Sequence, residues 1–82
     1  MTIEKFEEIF KVTESKWEGD NAFQGLQILS KYTKNLIQGT DHDVIYSEDI
    51  NVIIENGITE DDVTKLSELN WMIDGGYLSC FV

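Results

Sequence analysis

The sequence has no proline, no arginine and a single cysteine, Cys80. Without a second cysteine there is no intrachain disulfide and no cysteine-based metal site of the usual spacing. Small secreted domains normally carry several disulfides, so a reducing, cytoplasmic setting is expected. Without proline, glycine becomes the main punctuation. The opening MTIEKFEEIF has no basic stretch followed by an apolar one, and no apolar run approaches the ~20 residues of a membrane span. A soluble, unexported protein is the expectation. The missing arginine belongs to a wider shortage of positive charge. Six lysines face sixteen acids, a net charge of −10. A protein that binds nucleic acid directly needs a basic stripe for the phosphates, and none is present. The field of this chain repels nucleic acid and anionic lipid and attracts basic surfaces.

What is present fits one small α+β domain over residues 1–82, with 41% hydrophobic and 11% aromatic residues. A chain of this size has a thin core. Its charge is unevenly spread. Residues 1–40 hold six acids and five lysines; residues 41–82 hold ten acids and only Lys65. Solubility alone does not require that asymmetry, and the self-repulsion is destabilising.

The spacing of Ile3, Phe6, Ile9, Phe10, Thr13 and Trp17 predicts a first helix, capped by Thr2 and ended by Gly19. Ala22, Phe23, Leu26, Leu29, Tyr32 or Thr33, and Leu36 predict a second over 21–37, with Asp20 or Asn21 as cap and Gly39 as stop. A very short link makes the two an antiparallel hairpin, and Gly25 permits close packing against the first helix. Residues 43–46, DVIY, read as a strand. Two readings are open for SEDINVIIENG. Ser47 can cap a short helix closed by Gly57, or Asn51 to Ile54 can form another strand. The run Val52-Ile53-Ile54 favours the strand. Thr59 caps a further helix, with Glu60, Asp61 and Asp62 in its first turn and Val63, Leu66 and Leu69 buried. The tail WMIDGGYLSCFV reads as a hairpin turning at Gly75-Gly76. The expected order is α-α-β-(β)-α-β-β: an N-terminal helical hairpin, then a small antiparallel sheet with one further helix.

The string HDVIY (His42 to Tyr46), then TEDDVTKLSELNW (Thr59 to Trp71) and a terminal Phe81-Val82, resembles a group of short uncharacterised phage and prophage proteins. Those carry an HD-x-IY strand, an acid-capped helix ending in leucine-glycine-tryptophan, and a closing aromatic strand. The resemblance covers residues 41–82. It departs at Asn70, where glycine is usual, and in a shorter tail without a second tryptophan. It implies the fold and no particular activity. It also implies context, since small phage proteins often bind and inhibit a host machine.

Candidate chemistry is sparse. Asp41, His42 and Asp43 resemble the start of a metal site, but in a strand the two aspartates and the histidine point to opposite faces. A solvated strand entrance with a structural histidine explains them better. Glu60, Asp61 and Asp62 lack EF-hand spacing and fit ordinary complementation of a helix dipole. Cys80 reads as a buried strand cysteine rather than a nucleophile. Trp71 reads as core, while Trp17 is balanced between core and interface. There is no phosphate loop and no nucleophile elbow. The expectation is therefore no enzyme, no cofactor and no metal. The expected activity is binding, by nucleic-acid mimicry, to a host protein with a basic nucleic-acid-handling surface, such as a nuclease or CRISPR effector. The acids assigned to that surface are Asp41, Asp43, Glu48, Asp49, Glu55, Glu60, Asp61 and Asp62. The alternative is an assembly module using an apolar surface, with Phe10, Trp17 and Tyr77 as exposed aromatics and homo-oligomerisation as one outcome.

Overall fold

Thr2 starts the first helix as its sequence position demands, its Oγ1 accepting the Lys5 N–H at 3.1 Å. A computed structural model describes residues 1–82. This helix, α1, spans Ile3–Val12, buries Phe6 and Ile9, and stacks Phe10 on Phe6 with ring centroids 5.5 Å apart. It stops at Val12 and does not reach Gly19. The β-branched pair Val12-Thr13 weakens helix continuation, and the chain beyond finds other partners. The Lys16 N–H donates to the carbonyl of Glu68. The link to the next helix, Thr13 to Asp20, is thus not the very short connection expected, and Trp17 is carried off the apolar stripe.

The second helix, α2, covers Asn21–Leu29 and also ends before its sequence periodicity does. The Lys31 and Tyr32 N–H groups bond to Ile28 and Leu29 in a tightening turn. Thr33 then donates to Glu48 and accepts the Asn35 N–H, and the Tyr32 hydroxyl reaches Asp62. These long-range bonds take Tyr32 and Thr33 out of a helical path.

Four strands form one antiparallel sheet in the order β1-β2-β4-β3: β1 Gly39–Asp41, β2 Val44–Asp49, β3 Met72–Asp74 and β4 Tyr77–Phe81. The β1–β2 and β3–β4 hairpins turn at His42-Asp43 and Gly75-Gly76. His42 therefore lies in a turn, not a strand, at φ 55°. Positive φ at only the first central residue is the signature of a II′ turn, which prefers glycine there. A register shift between Tyr46 and Asp49 bulges β2 and lets the consecutive Ser47 and Glu48 both be buried.

The segment after β2 is a helix, α3, Ile50–Glu55, and Asn51 to Ile54 is not a strand. The second strand of the first pair is β1 instead, formed by residues read as a helix stop. Asp49, not Ser47, caps α3, its Oδ1 accepting the Asn51 N–H at 2.7 Å. The helix places Ile50 and Ile53 together in the core with Asn51 and Glu55 outside. Each buried isoleucine stabilises by roughly 1.5–3 kcal/mol, against a helix-propensity cost of at most ~0.7 kcal/mol per β-branched residue.

The acid-capped helix, α4, is Glu60–Glu68, with Thr59 accepting the Asp62 N–H and Val63, Leu66 and Leu69 fully buried. Asn70 follows at φ 66°; its N–H bonds to Ser67, and the Trp71 N–H bonds to Leu66. That is a Schellman cap, with the buried pair Leu66 and Trp71 as its hydrophobic contact. Asparagine tolerates this left-handed position better than most residues. Both α1 and α2 pack on α4. Gly25 of α2 meets Trp71 rather than the first helix: an added Cβ would stand 2.0 Å from the indole nitrogen. The architecture is a mixed α+β domain in the expected element order, with α3 inserted as a second helix between the two strand pairs.

Candidate interaction surface

The eight acids assigned from sequence do not share one face. Glu48 is buried and takes hydrogen bonds from Thr33 Oγ1 at 2.7 Å, Gln38 Nε2 at 2.8 Å and the Asp49 N–H at 3.0 Å. Burial pushes its carboxyl up, but these donors outweigh burial and hold it below the ordinary glutamate range. Asp49 caps α3. Asp62 is held by Lys31 Nζ at 2.7 Å and by the Tyr32 hydroxyl. Burial again acts upward on Asp62, and the Lys31, Tyr32 and Thr59 donors prevail and lower it. Glu48 and Asp62 are thus committed to internal bonds. Asp41, Asp43, Glu55, Glu60 and Asp61 are exposed. Asp43, in the turn before β2, and Asp49, at its far end, are separated by the length of the strand, about 20 Å at ~3.3 Å per residue. No three of the carboxylates, histidine and cysteine converge to hold a metal ion.

The register of the strands defines a different surface. Residues directly opposite in antiparallel strands point to the same face. Ile45 pairs with Cys80, and Leu78 with Ile73, and their side chains enter the core with the helices. On that side burial pushes the Cys80 thiol up to about 11, leaving it inert at neutral pH. The other face carries Asp41, Val44, Tyr46, Met72, Asp74, Tyr77, Ser79 and Phe81. Tyr77 is 39% exposed and Phe81 44%. Val44, Tyr46 and Met72 are half-buried, and Ser79, between Tyr46 and Met72 in register, is fully buried. Asp41 and Asp74 stand near Tyr46, whose hydroxyl lies 3.4 Å from Asp74. Burial first, and then these two carboxylates, raise the Tyr46 phenol above its ordinary value.

All six lysines lie elsewhere: Lys5 and Lys11 on α1, Lys16 in the following connector, Lys31 and Lys34 beyond α2, and Lys65 on α4. The four strands and α3 carry no positive residue, so the open sheet face is anionic and aromatic at once. Tyr46 and Phe81 are legible in the sequence as strand residues, and Tyr77 as an exposed aromatic. Only the register shows that Tyr77, Ser79 and Phe81 turn away from the helices together. Asp74 is legible in the sequence only as the last acid of the acidic half, and Gln38, also beside this face, carries no sequence signal.

A second patch flanks α2. Phe23 is 61% exposed and forms a groove of about 280 Å³ with Leu26, Gln27, Ser30 and Leu36. Ile37 and Trp17 are also exposed, at 56% and 59%. Trp71, by contrast, is buried with its indole N–H bonded to the Asn21 carbonyl at 3.0 Å. No helix is long and apolar enough to cross a membrane. The fold and these surfaces define a small α+β protein with one helix-covered and one open, acidic sheet face. Comparison of the chain with protein-family models, curated proteins and solved structures returned no match.

Proposed function

We propose that this chain is a small acidic binding protein of phage type that docks on a basic protein surface in the host cytoplasm and inhibits or modulates its bearer. The observation that carries the proposal is the segregation of charge: no lysine lies on any strand, and Asp41 and Asp74 flank an exposed aromatic sheet face. Such a face attracts lysine- and arginine-rich surfaces and offers apolar area to hold them once docked. Proteins that handle nucleic acid, such as nucleases and CRISPR effectors, present surfaces of this kind. The test is affinity capture from host lysate at low and high salt. A nucleic-acid-handling partner retained at low salt and released at high salt is expected. Equal retention at both would count against electrostatic docking.

The Phe23 groove favours a second reading, an assembly module that self-associates through α2. Its lining holds no charged side chain, so two copies meet there without juxtaposing their acidic halves. Light scattering across a concentration series decides it: a rising mass supports self-association, and a constant monomer mass excludes it.

A further inference from the structure

One place on the sheet face is more than a charged surface. Gln38, Gly39, Tyr46 and Tyr77 line a cleft of about 220 Å³. Gly39 has no side chain to fill it, so its floor is backbone. Tyr46 and Tyr77 contribute aromatic rings from β2 and β4. Tyr77 pairs in register with Asp49 on one side and with Asp74 on the other. Asp74 neighbours the cleft, its Oδ2 3.4 Å from the Tyr46 hydroxyl, whereas the Asp49 carboxylate is turned to the Asn51 N–H as the cap of α3. The Gln38 amide nitrogen is occupied by Glu48 Oε1 at 2.8 Å and the Asn35 carbonyl at 3.3 Å. That bond fixes the amide and leaves its carbonyl oxygen as an acceptor for a ligand. No cation of the protein itself lies on these strands.

We propose that this cleft receives an arginine side chain of the partner protein, its guanidinium lying against Tyr46 and Tyr77 and donating to Asp74 and Gln38. The inference rests on the binding function proposed above and names the group that function recognises. A guanidinium is planar, always charged, stacks on aromatic faces and carries five donors, and so matches flat rings flanked by acceptors. An ammonium satisfies the charge but not the flat, multidentate geometry. A phosphate or a nucleotide finds no positive group here.

Titration of the ¹⁵N-labelled protein with N-acetyl-arginine amide, followed by amide chemical shifts, tests this. Saturable shifts centred on Gly39, Tyr46 and Tyr77 are expected. The uncharged citrulline analogue is expected to leave those amides unmoved, and the lysine analogue to bind several-fold more weakly. Tyr77→Leu should weaken arginine binding about tenfold, the loss expected of a cation–π contact, while Tyr77→Phe retains it. The amide spectra of both variants report whether they fold. Non-saturating shifts, shifts spread equally to Glu60 and Asp61, or equal binding of the lysine or citrulline analogue would overturn the pocket. Capture of a basic partner at low salt by a protein that ignores arginine amide would leave the broader function standing and the pocket wrong. Arginine binding without any salt-sensitive partner would do the reverse.

Discussion

Asn21 shows how much one side chain can hold together in a thin core. It is fully buried; its amide nitrogen donates to the carbonyls of Lys16 and Leu69, and its Oδ1 accepts the Glu18 N–H at 2.7 Å. Its own carbonyl takes the Trp71 indole N–H. From sequence it was one of two candidate caps, because hydrogen bonds to residues 48 and 50 positions away leave no local pattern. Gly25 is the complementary case. Its presence inside a helix signalled close packing, but not against what. Gly25→Ala is expected to destabilise by about 3 kcal/mol or more, at the upper end of overpacking costs, because the methyl group would displace the indole and break its bond to Asn21. Urea unfolding, with a shift of tryptophan emission, measures it. His42 points the other way. It sits at φ 55°, exposed, with only a 3.7 Å contact to Asp41. Relief of left-handed strain, worth roughly 1–2 kcal/mol less the added flexibility of glycine, should make His42→Gly more stable by about 0.5–1 kcal/mol. A higher urea midpoint with an unchanged slope is the expected result.

At the level of elements, helix α4 and the β3–β4 hairpin were legible because their signals are local. Thr59, the three acids after it, and Gly75-Gly76 act within a turn of themselves. α3 is not legible in this way, because its β-branched composition speaks for a strand. The burial of Ile50 and Ile53, three residues apart, decided for a helix. The ends of α1 and α2 fall short of their periodicity because tertiary partners, Glu68 for the connector and Glu48 and Asp62 for the segment after α2, claim residues whose spacing is still helical. Glu48 is the clearest such partner. As its folded carboxyl lies below the ordinary glutamate value of 4.5, the bonded carboxylate adds stability that is complete above that value. It is lost as pH falls through the lower folded value. Glu48→Gln keeps one acceptor oxygen for Gln38 and the Asp49 N–H but turns an amide donor toward the Thr33 hydroxyl that now donates to it. It should cost about 1–3 kcal/mol at pH 7 and flatten the decline in stability below about pH 4.5. Urea titrations of both proteins between pH 3 and 7 check the magnitude and the slope.

For the molecule as a whole, the sequence foretold an acidic half but not an acidic face. Charge counted along the chain merges acids that fold inward, Glu48 and Asp62, with acids that stay outside. Asp41→Asn and Asp74→Asn together should leave the fold intact, since both are exposed and Asp74 makes only the long contact with Tyr46. They should weaken partner association and lessen its salt dependence, read from association rates across ionic strength. The screening distance shrinks from about 30 Å at 0.01 M to about 10 Å at 0.1 M, so the difference from the parent protein should be greatest at low salt. The placement of all six lysines away from the strands has a further consequence. The carboxylates on the strands have no lysine on the same elements to offset them. An encounter that brings a basic partner to the sheet is therefore held longer than one at the lysine-bearing helices, which shortens the orientational search that limits most encounters between proteins.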